Sequence, residues 1–176
     1  MASTQPDSSG AGDPAPSGST PTKIEANKAV VAEFWEALGR RDFDAVGRFM
    51  AEDGHYIDVP LVDDGDNKAP MAENLAGAEA GAEGPEEVAA RLRLGIEPLE
   101  NYVLHDGRMI AEGDTVVTEH SEEWFWHTGE HIHIRFCSVQ EIRDGKIARW
   151  WDYVDLAQLL NAAPQWWLDH IMEGYK

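Results

Sequence analysis

The stretch that decides the fold is 115–154, TVVTEHSEEWFWHTGEHIHIRFCSVQEIRDGKIARWWDYV. It is rich in β-branched and aromatic residues that alternate with polar ones, which is typical of β-strands. The pairs Thr128-Gly129 and Asp144-Gly145 interrupt this alternation and are typical of hairpin turns. We therefore predict successive antiparallel strands over 115–126, 131–142 and 147–154.

Helical patterns flank this stretch on both sides. Thr22 and Glu25 have capping-box spacing, and the apolar residues after them, from Ile24 to Leu38, recur every three to four positions until Gly39, which predicts an amphipathic helix. Further helices are predicted after Asp42, from Pro85 onward, and over 156–172 with a break at Pro164. Further strands are predicted over 54–61 and over 102–105, the latter followed by a turn at Asp106-Gly107. This order predicts an α+β fold.

The remaining segments have a different composition. Residues 1–22 are almost entirely small and polar and predict a disordered tail, because they hold too little apolar surface to offset the cost of ordering. The globular domain is expected over 23–176. Within it, 63–83 is acidic, rich in Ala and Gly and weakly periodic, which predicts an inserted loop or lid.

Charge and cysteine content exclude several classes of function. The 176 residues carry 14 Lys and Arg against 33 Asp and Glu, a net charge of −19. Such a surface repels phosphate backbones and anionic lipids, so we expect neither a nucleic-acid nor a membrane partner. The single cysteine, Cys137, cannot form an intramolecular disulfide. With no secretory signal pattern, we predict a cytoplasmic protein.

Alternation along the strands predicts which side chains meet. His120, Glu122 and Trp124 share one face of their strand, Trp150, Asp152 and Val154 share one face of the last strand, and Tyr56 shares a face with Asp58. If these faces all point inward, carboxylates, an imidazole and a phenol converge beside aromatic rings. Two alternatives remain open: a one-residue bulge would replace Glu122 by Glu123 inside, and Tyr56 could be an ordinary core residue.

Such a group of side chains could carry acid–base chemistry. Burial raises the pKa of a carboxyl group, so one acid and one base can coexist at neutral pH. A histidine between two carboxylates would be held as a cation or would shuttle a proton between them. We expect no metal and no organic cofactor. His131 and His133 share a strand face and could suggest a metal, but alternation predicts that they point outward.

Three stretches carry a resemblance to a known family: FWEALGRRDFDAVGRFMAEDGHY at 34–56, AEGDTVVTEHSEEW at 111–124 and EIRDGKIARWWDYVDL at 141–156. They resemble the SnoaL-like and limonene-epoxide-hydrolase-like branch of the nuclear transport factor 2-like superfamily, over roughly 24–165. The resemblance implies a cone-shaped, strongly curved antiparallel sheet, with N-terminal helices and a C-terminal helix enclosing a deep pocket. It also implies a homo-oligomer, either a dimer or a trimer.

The resemblance further implies roles for particular residues. Epoxide hydrolases of this branch activate water with an Asp–Arg–Asp arrangement, a Tyr and an Asn. Tyr56 and Asp152 match this pattern, whereas Asp58 stands at the Asn position, His120 at the Arg position and Glu122 at the other Asp position. Because His cannot replace a permanent Arg cation, water activation is disfavoured and proton-shuttling chemistry is favoured.

We therefore predict a cofactor-independent acid–base lyase of aromatic-compound catabolism, acting on a hydrophobic, aromatic, hydroxylated molecule. The reaction would be dehydration or retro-aldol cleavage, such as formaldehyde loss from a lignin-derived diarylpropane diol. Asp152 is the predicted base, His120 and Glu122 the acid or relay, and Tyr56 and Asp58 the groups that orient substrate hydroxyls. The predicted substrate-binding walls are Trp124, Ile134, Phe136, Trp150, Val154 and Trp167. An epoxide hydrolase or isomerase, and a non-catalytic ligand-binding or assembly module, are the alternatives.

Overall fold

The computed structural model describes residues 22–59 and 81–174. The predicted tail therefore lies outside the described residues except for Thr22, and the predicted insertion lies outside them except for 81–83. No helix in the described ranges is long and apolar enough to cross a membrane.

The described chain folds into helices packed on one sheet. The helices are α1 Lys23–Gly39, α2 Phe43–Phe49, α3 Gly84–Ile96, α4 Leu156–Ala162 and α5 Gln165–Met172. The strands are β1 Met50–Val59, β2 Ala82–Glu83, β3 Asn101–Glu112, β4 Thr115–Phe125, β5 His131–Arg143 and β6 Lys146–Val154.

The six strands form a single curved sheet in the order β2-β1-β6-β5-β4-β3. The predicted α+β fold with a strongly curved sheet is confirmed. Its pairs are antiparallel except for β1 and β6, which run parallel with Asp58 opposite Asp152. The end of the predicted insertion differs from the prediction of a loop. Ala82 and Glu83 form the short strand β2, which pairs with β1 at the edge of the sheet.

The first helices follow their predicted signals. The Thr22 hydroxyl accepts a hydrogen bond from Glu25 N at 3.2 Å, and the Glu25 carboxylate accepts one from Thr22 N at 2.7 Å, so the capping box is present. Val31 and Phe34 on the apolar stripe are buried, whereas Ile24 is 42% exposed. Asp42 caps α2 as predicted.

The last helices also follow the pattern. Pro164 separates α4 from α5, as predicted, because proline cannot donate the backbone hydrogen bond that a continuous helix needs here. The Trp167 indole of α5 donates to Gly95 O of α3 at 2.9 Å, which ties the closing helix to the rest of the domain.

One predicted turn is wrong. Asp144 and Gly145, with φ of 52° and 73°, form the tight turn between β5 and β6. Asp106 and Gly107, in contrast, lie inside β3, where the pairing with β4 shifts register. This shift is a bulge, at which β3 passes very close to the backbone of β4. Only glycine fits at position 107, because an added Cβ would overlap the backbone carbonyl of Glu119.

The bulge leads to a stability prediction. We expect Gly107→Ala to lower the free energy of unfolding by about 1–3 kcal/mol, because the new methyl group meets rigid backbone. Chemical denaturation measures this change. In the control Gly39→Ala, the added Cβ makes an ordinary 3.8 Å contact with Leu104, so no loss is expected. Equal stability of the two variants would contradict the prediction.

Candidate active site

A cavity with a volume of about 170 Å³ lies between the inner face of the sheet and helices α3, α4 and α5. Its lining is mainly apolar and aromatic, which removes water from any polar group inside. The only carboxylates among the described lining residues are those of Asp58, Glu122 and Asp152. Such a cavity with a few convergent polar groups is typical of a ligand site.

Asp152 is one of the buried carboxyl groups of this cavity. Alternation along β6 turns it inward beside Trp150, and it is 4% exposed. Its Oδ1 accepts hydrogen bonds from the Trp150 indole at 2.5 Å and from the Ser138 hydroxyl. Burial raises the pKa of Asp152 well above its usual range, and the negative charge of Asp58 adds to this rise.

Tyr56 and Asp58 reach the same point from β1. The parallel register sets Asp58 opposite Asp152, which brings the two carboxylates to one end of the cavity. The Tyr56 hydroxyl donates to Asp58 Oδ1 at 2.6 Å and lies 3.5 Å from Asp152 Oδ2. Its ring stacks on Trp150 with centroids 3.9 Å apart, so Tyr56 both packs and hydrogen-bonds.

Arg91 on α3 is a site residue that the sequence reasoning missed. Its guanidinium lies 2.5 Å from Asp58 Oδ2 and 5.5 Å from the centre of the Tyr56 ring. The charge of Asp58 is therefore matched inside the cavity. Helical spacing could have found Arg91, because it lies one turn from Val88 and next to Leu92, both buried on the inner face of α3.

Glu122 supplies the other carboxyl group. It is 4% exposed, whereas Glu123 points outward to His105 and His131, so the bulge that would exchange them is absent from this part of β4. Glu122 Oε2 accepts from the Trp124 indole at 2.8 Å. Burial raises the pKa of Glu122 to about 7, although Trp124 opposes this rise.

His120 differs from its prediction. It is buried but does not line the cavity, because its ring is held between Trp35 and Phe136, with centroid distances of 4.3 and 5.2 Å. Its Nε2 lies 2.9 Å from Ser138 Oγ, and its Nδ1 lies 3.9 Å from Glu122 Oε1. Burial lowers the pKa of His120 to about 4, so the ring is neutral at pH 7, which disfavours the cation among the two predicted roles and favours the proton shuttle.

Most of the predicted walls line the cavity. Trp124, Phe136, Trp150, Val154 and Trp167 do so, whereas Ile134 is fully buried away from it. The cavity lining therefore gives no support to a wall role for Ile134, because strand alternation predicts the face of a residue but not whether other side chains cover it. The sequence reasoning missed the helical wall: Leu92, Ile96, Leu156, Leu159, Leu160 and Ile171.

Two other places on the protein carry clusters of polar side chains. His131 and His133 point outward, where their Nε2 atoms lie 2.9 Å from Glu123 Oε2 and from Ser121 Oγ. Residues 22–59 and 81–174 contain no group of three or more His, Cys, Asp or Glu that could hold a metal ion. A wider groove of about 920 Å³ is lined by exposed ion pairs such as Arg143–Asp53, whose groups remain in contact with water.

Comparisons with known proteins agree with this fold. An LEH-like epoxide hydrolase from M. tuberculosis shares 22% identity over 80% of this chain and 91% of its own, with a TM-score of 0.61. A putative polyketide cyclase from Xanthomonas campestris pv. campestris shares 21% over 80% and 98%, with a TM-score of 0.63. TerC, co-crystallized with polyporic acid, shares 19% over 78% and 97%, also with a TM-score of 0.63. At these identities the likeness concerns the fold alone.

No curated protein sequence matches the chain significantly. The family model of the SnoaL-like domain, in contrast, matches residues 31–150. This match covers more than half of the 176 residues and confirms the resemblance seen in the sequence. The chain therefore belongs to the family of SnoaL-like domains.

Proposed function

We propose that this protein is a cofactor-independent acid–base lyase of aromatic-compound catabolism. Its substrate is an uncharged, aromatic, hydroxylated molecule. The observation that carries the proposal is the pair of buried carboxyl groups, Asp152 and Glu122, that line one aromatic cavity. Both have a raised pKa, and repulsion from the charge of Glu122 adds to the rise at Asp152. Repulsion favours a pair that shares one proton, which gives one acid and one base near neutral pH.

The chemistry assigns one role to each carboxyl group. Glu122 donates its proton to a departing benzylic hydroxyl group, the C–O bond breaks, and water leaves. Asp152 removes the proton from a hydroxymethyl O–H, so that formaldehyde departs and the electrons of the broken C–C bond form the new C=C bond. In a simple dehydration, Asp152 removes a proton from carbon instead. Each proton transfer of this kind typically contributes about 10²–10⁴-fold in rate.

The other polar groups suit an uncharged substrate. Because the Arg91 guanidinium is paired with Asp58, the mouth of the cavity carries no net charge from these two residues. The Tyr56 hydroxyl and the Asp58 carboxylate can exchange hydrogen bonds with substrate hydroxyl groups. Trp124, Phe136 and Trp167 offer apolar surface for aromatic rings.

Epoxide hydrolysis is the second candidate. Tyr56 and Asp152, which match the water-activating residues of the hydrolases, lie 3.5 Å apart at their oxygen atoms. Arg91 supplies a cation from α3, although at Asp58 rather than between two sheet carboxylates. A non-catalytic module has less support, because side chains rather than backbone groups donate these hydrogen bonds to Asp152 and Glu122, and a cavity remains open beside them.

The first prediction concerns the base. We expect Asp152→Asn to lower kcat/KM by at least about 10²-fold, because the amide cannot accept the substrate proton, while the fold is retained. Formaldehyde release from hydroxylated diarylpropane diols measures lyase activity, and diol formation from terpene epoxides measures the second candidate. The matched control is Asp106→Asn on the exposed part of β3. A fully active Asp152→Asn variant would remove the proposed mechanism.

The second prediction concerns pH. Glu122 has a pKa of about 7 in the folded protein against an ordinary value of 4.5, so the folded state retains a proton that the unfolded chain has lost. The contribution of Glu122 to stability is therefore fully present below pH 4.5 and is lost as the pH rises to about 7, a change of about 3 kcal/mol for this group. Activity that needs the protonated acid falls above pH 7.

Denaturation across this pH range tests the assignment. Glu122→Gln is expected to remove the part of the fall in stability that Glu122 contributes and to abolish turnover. The control Glu123→Gln changes the neighbouring residue that points outward, and it should retain both the fall and the activity. A wild-type protein and a Glu122→Gln variant with parallel stability profiles would contradict the raised pKa.

The third prediction concerns assembly. The family resemblance implies a homo-oligomer, and we expect sedimentation to give two or three times the chain mass of 19.5 kDa. Tyr153, 50% exposed on the outer face of β6, offers aromatic surface for such a contact. A protein that sediments as a monomer at all concentrations would contradict this expectation.

A further inference from the structure

The surroundings of Asp152 oppose the negative charge that a base needs. Burial raises the pKa of Asp152, and repulsion from the charges of Asp58 and Glu122 adds to the rise. The Arg91 guanidinium pairs with Asp58. A buried carboxyl group in such a place is ionised only with the help of hydrogen-bond donors, because these stabilise the charged form more than the neutral one.

Two buried donors meet at one oxygen atom of Asp152. The Trp150 indole donates to Oδ1 at 2.5 Å, and the Ser138 hydroxyl donates to the same atom. Ser138 lies on β5 directly opposite Asp152 on β6, and it is fully buried. The other carboxyl oxygen, Oδ2, lies 3.5 Å from the Tyr56 hydroxyl. Donors therefore anchor Oδ1, and Oδ2 is the atom that can act on a substrate.

His120 sets the direction in which the Ser138 hydroxyl points. Its Nε2 lies 2.9 Å from Ser138 Oγ, and its ring is held between Trp35 and Phe136. Burial lowers the pKa of His120 to about 4, so the neutral ring carries one N–H group. With this hydrogen on Nε2, the ring donates to Ser138 Oγ, and the serine hydrogen is directed to Asp152. The opposite tautomer would accept the serine hydrogen and withdraw it from Asp152.

We propose that His120 and Ser138 are positioning residues that act in series to stabilise the ionised form of Asp152. His120 donates to Ser138, and Ser138 donates to Asp152. The value of this series for catalysis rests on the proposed function, in which Asp152 is the base. The hydrogen bonds themselves, and their effect on the charge of Asp152, do not depend on it.

Other charged and titratable groups also act on Asp152. They are Asp58 and Tyr56 on β1, Arg91 on α3 next to Asp58, Tyr102 on β3, and Glu122 and His120 on β4. Because Glu122 has a pKa of about 7 and repels Asp152, the two acids titrate as a coupled pair. The test therefore uses Glu122→Gln as its background, in which this charge is absent.

The test follows the Asp152 carboxyl carbon by NMR across pH, in protein labelled with ¹³C at the aspartate carboxyl groups. Asp152→Asn identifies the signal. In the Glu122→Gln background, we expect Ser138→Ala to raise the titration midpoint of Asp152 by about one pH unit, the size expected for loss of a hydrogen bond to a charged group. An unchanged or lower midpoint would overturn the proposal, since a serine that accepts from protonated Asp152 would stabilise the neutral acid.

A second variant tests the order of the series. His120→Phe keeps an aromatic ring between Trp35 and Phe136 but removes the donor to Ser138. We expect a smaller rise in the Asp152 midpoint from this change alone. Combined with Ser138→Ala, it should add nothing to the effect of that variant, because His120 acts through Ser138. Additive shifts would contradict the series.

The outer face provides a matched control. Ser121 lies 2.9 Å from His133 Nε2, which is a Ser–His contact of the same length on the opposite side of the sheet. Ser121→Ala should leave the titration midpoint of Asp152 unchanged. A general effect of removing a serine hydroxyl from the sheet would move the midpoint in both serine variants, and it would also overturn the proposal.

The wild-type protein allows a measurement that needs no variant at Ser138, which matters if Ser138→Ala does not fold. The ¹⁵N signals of the His120 ring report which nitrogen carries the hydrogen at neutral pH. A hydrogen on Nε2 supports the series, because the ring then donates to Ser138. A hydrogen on Nδ1 overturns it, because the serine would then donate to the ring.

Catalytic rates connect the series to the proposed function. In protein with an intact Glu122, Ser138→Ala should lower kcat/KM for the diarylpropane diol by about tenfold, because one pH unit corresponds to that change in the ionised fraction of Asp152. A shifted midpoint together with a fully active Asp152→Asn variant would support the series and contradict the proposed function. An unshifted midpoint together with an inactive Asp152→Asn variant would contradict the series and leave the proposed function standing.

Discussion

Two carboxyl groups held out of water impose the main constraint on this structure. An unpaired buried carboxylate costs several kcal/mol, so Asp152 and Glu122 need hydrogen-bond donors, which purely aliphatic walls could not supply. Indole N–H groups meet much of this need: Trp150 donates to Asp152, and Trp124 donates to Glu122. The same rings form the walls of the cavity. Satisfying the acids and excluding water are thus achieved by the same side chains.

Strand pairing decides which charges meet. The parallel contact of β1 and β6 sets Asp58 beside Asp152, which would repel each other if both were ionised and unpaired. Arg91 reaches in from α3 and neutralises Asp58, so one face of a helix compensates a charge created by sheet register. The arrangement pairs the charge of Asp58, while burial raises the pKa of both Asp152 and Glu122.

Sequence alternation could predict what lies on the inner face of the sheet. It placed Glu122, Asp152 and Trp150 correctly, because a period of two leaves only two faces to choose between. Alternation could not predict the charge of His120, which depends on desolvation by rings from α1 and β5. It also could not predict the hydrogen bond from Ser138 to Asp152, which depends on the register between β5 and β6. Arg91 was missed because a charged residue on a helix is usually read as solvent-exposed.

The two indole–carboxyl contacts have the same form. In each, the donor and acceptor are two residues apart on one strand: Glu122 with Trp124 and Trp150 with Asp152. The electronic environment of an indole depends on the charge of the group that accepts its hydrogen. Each acid is therefore coupled to its own chromophore, so the ionisation of Glu122 changes the electronic environment of Trp124, and the ionisation of Asp152 changes that of Trp150.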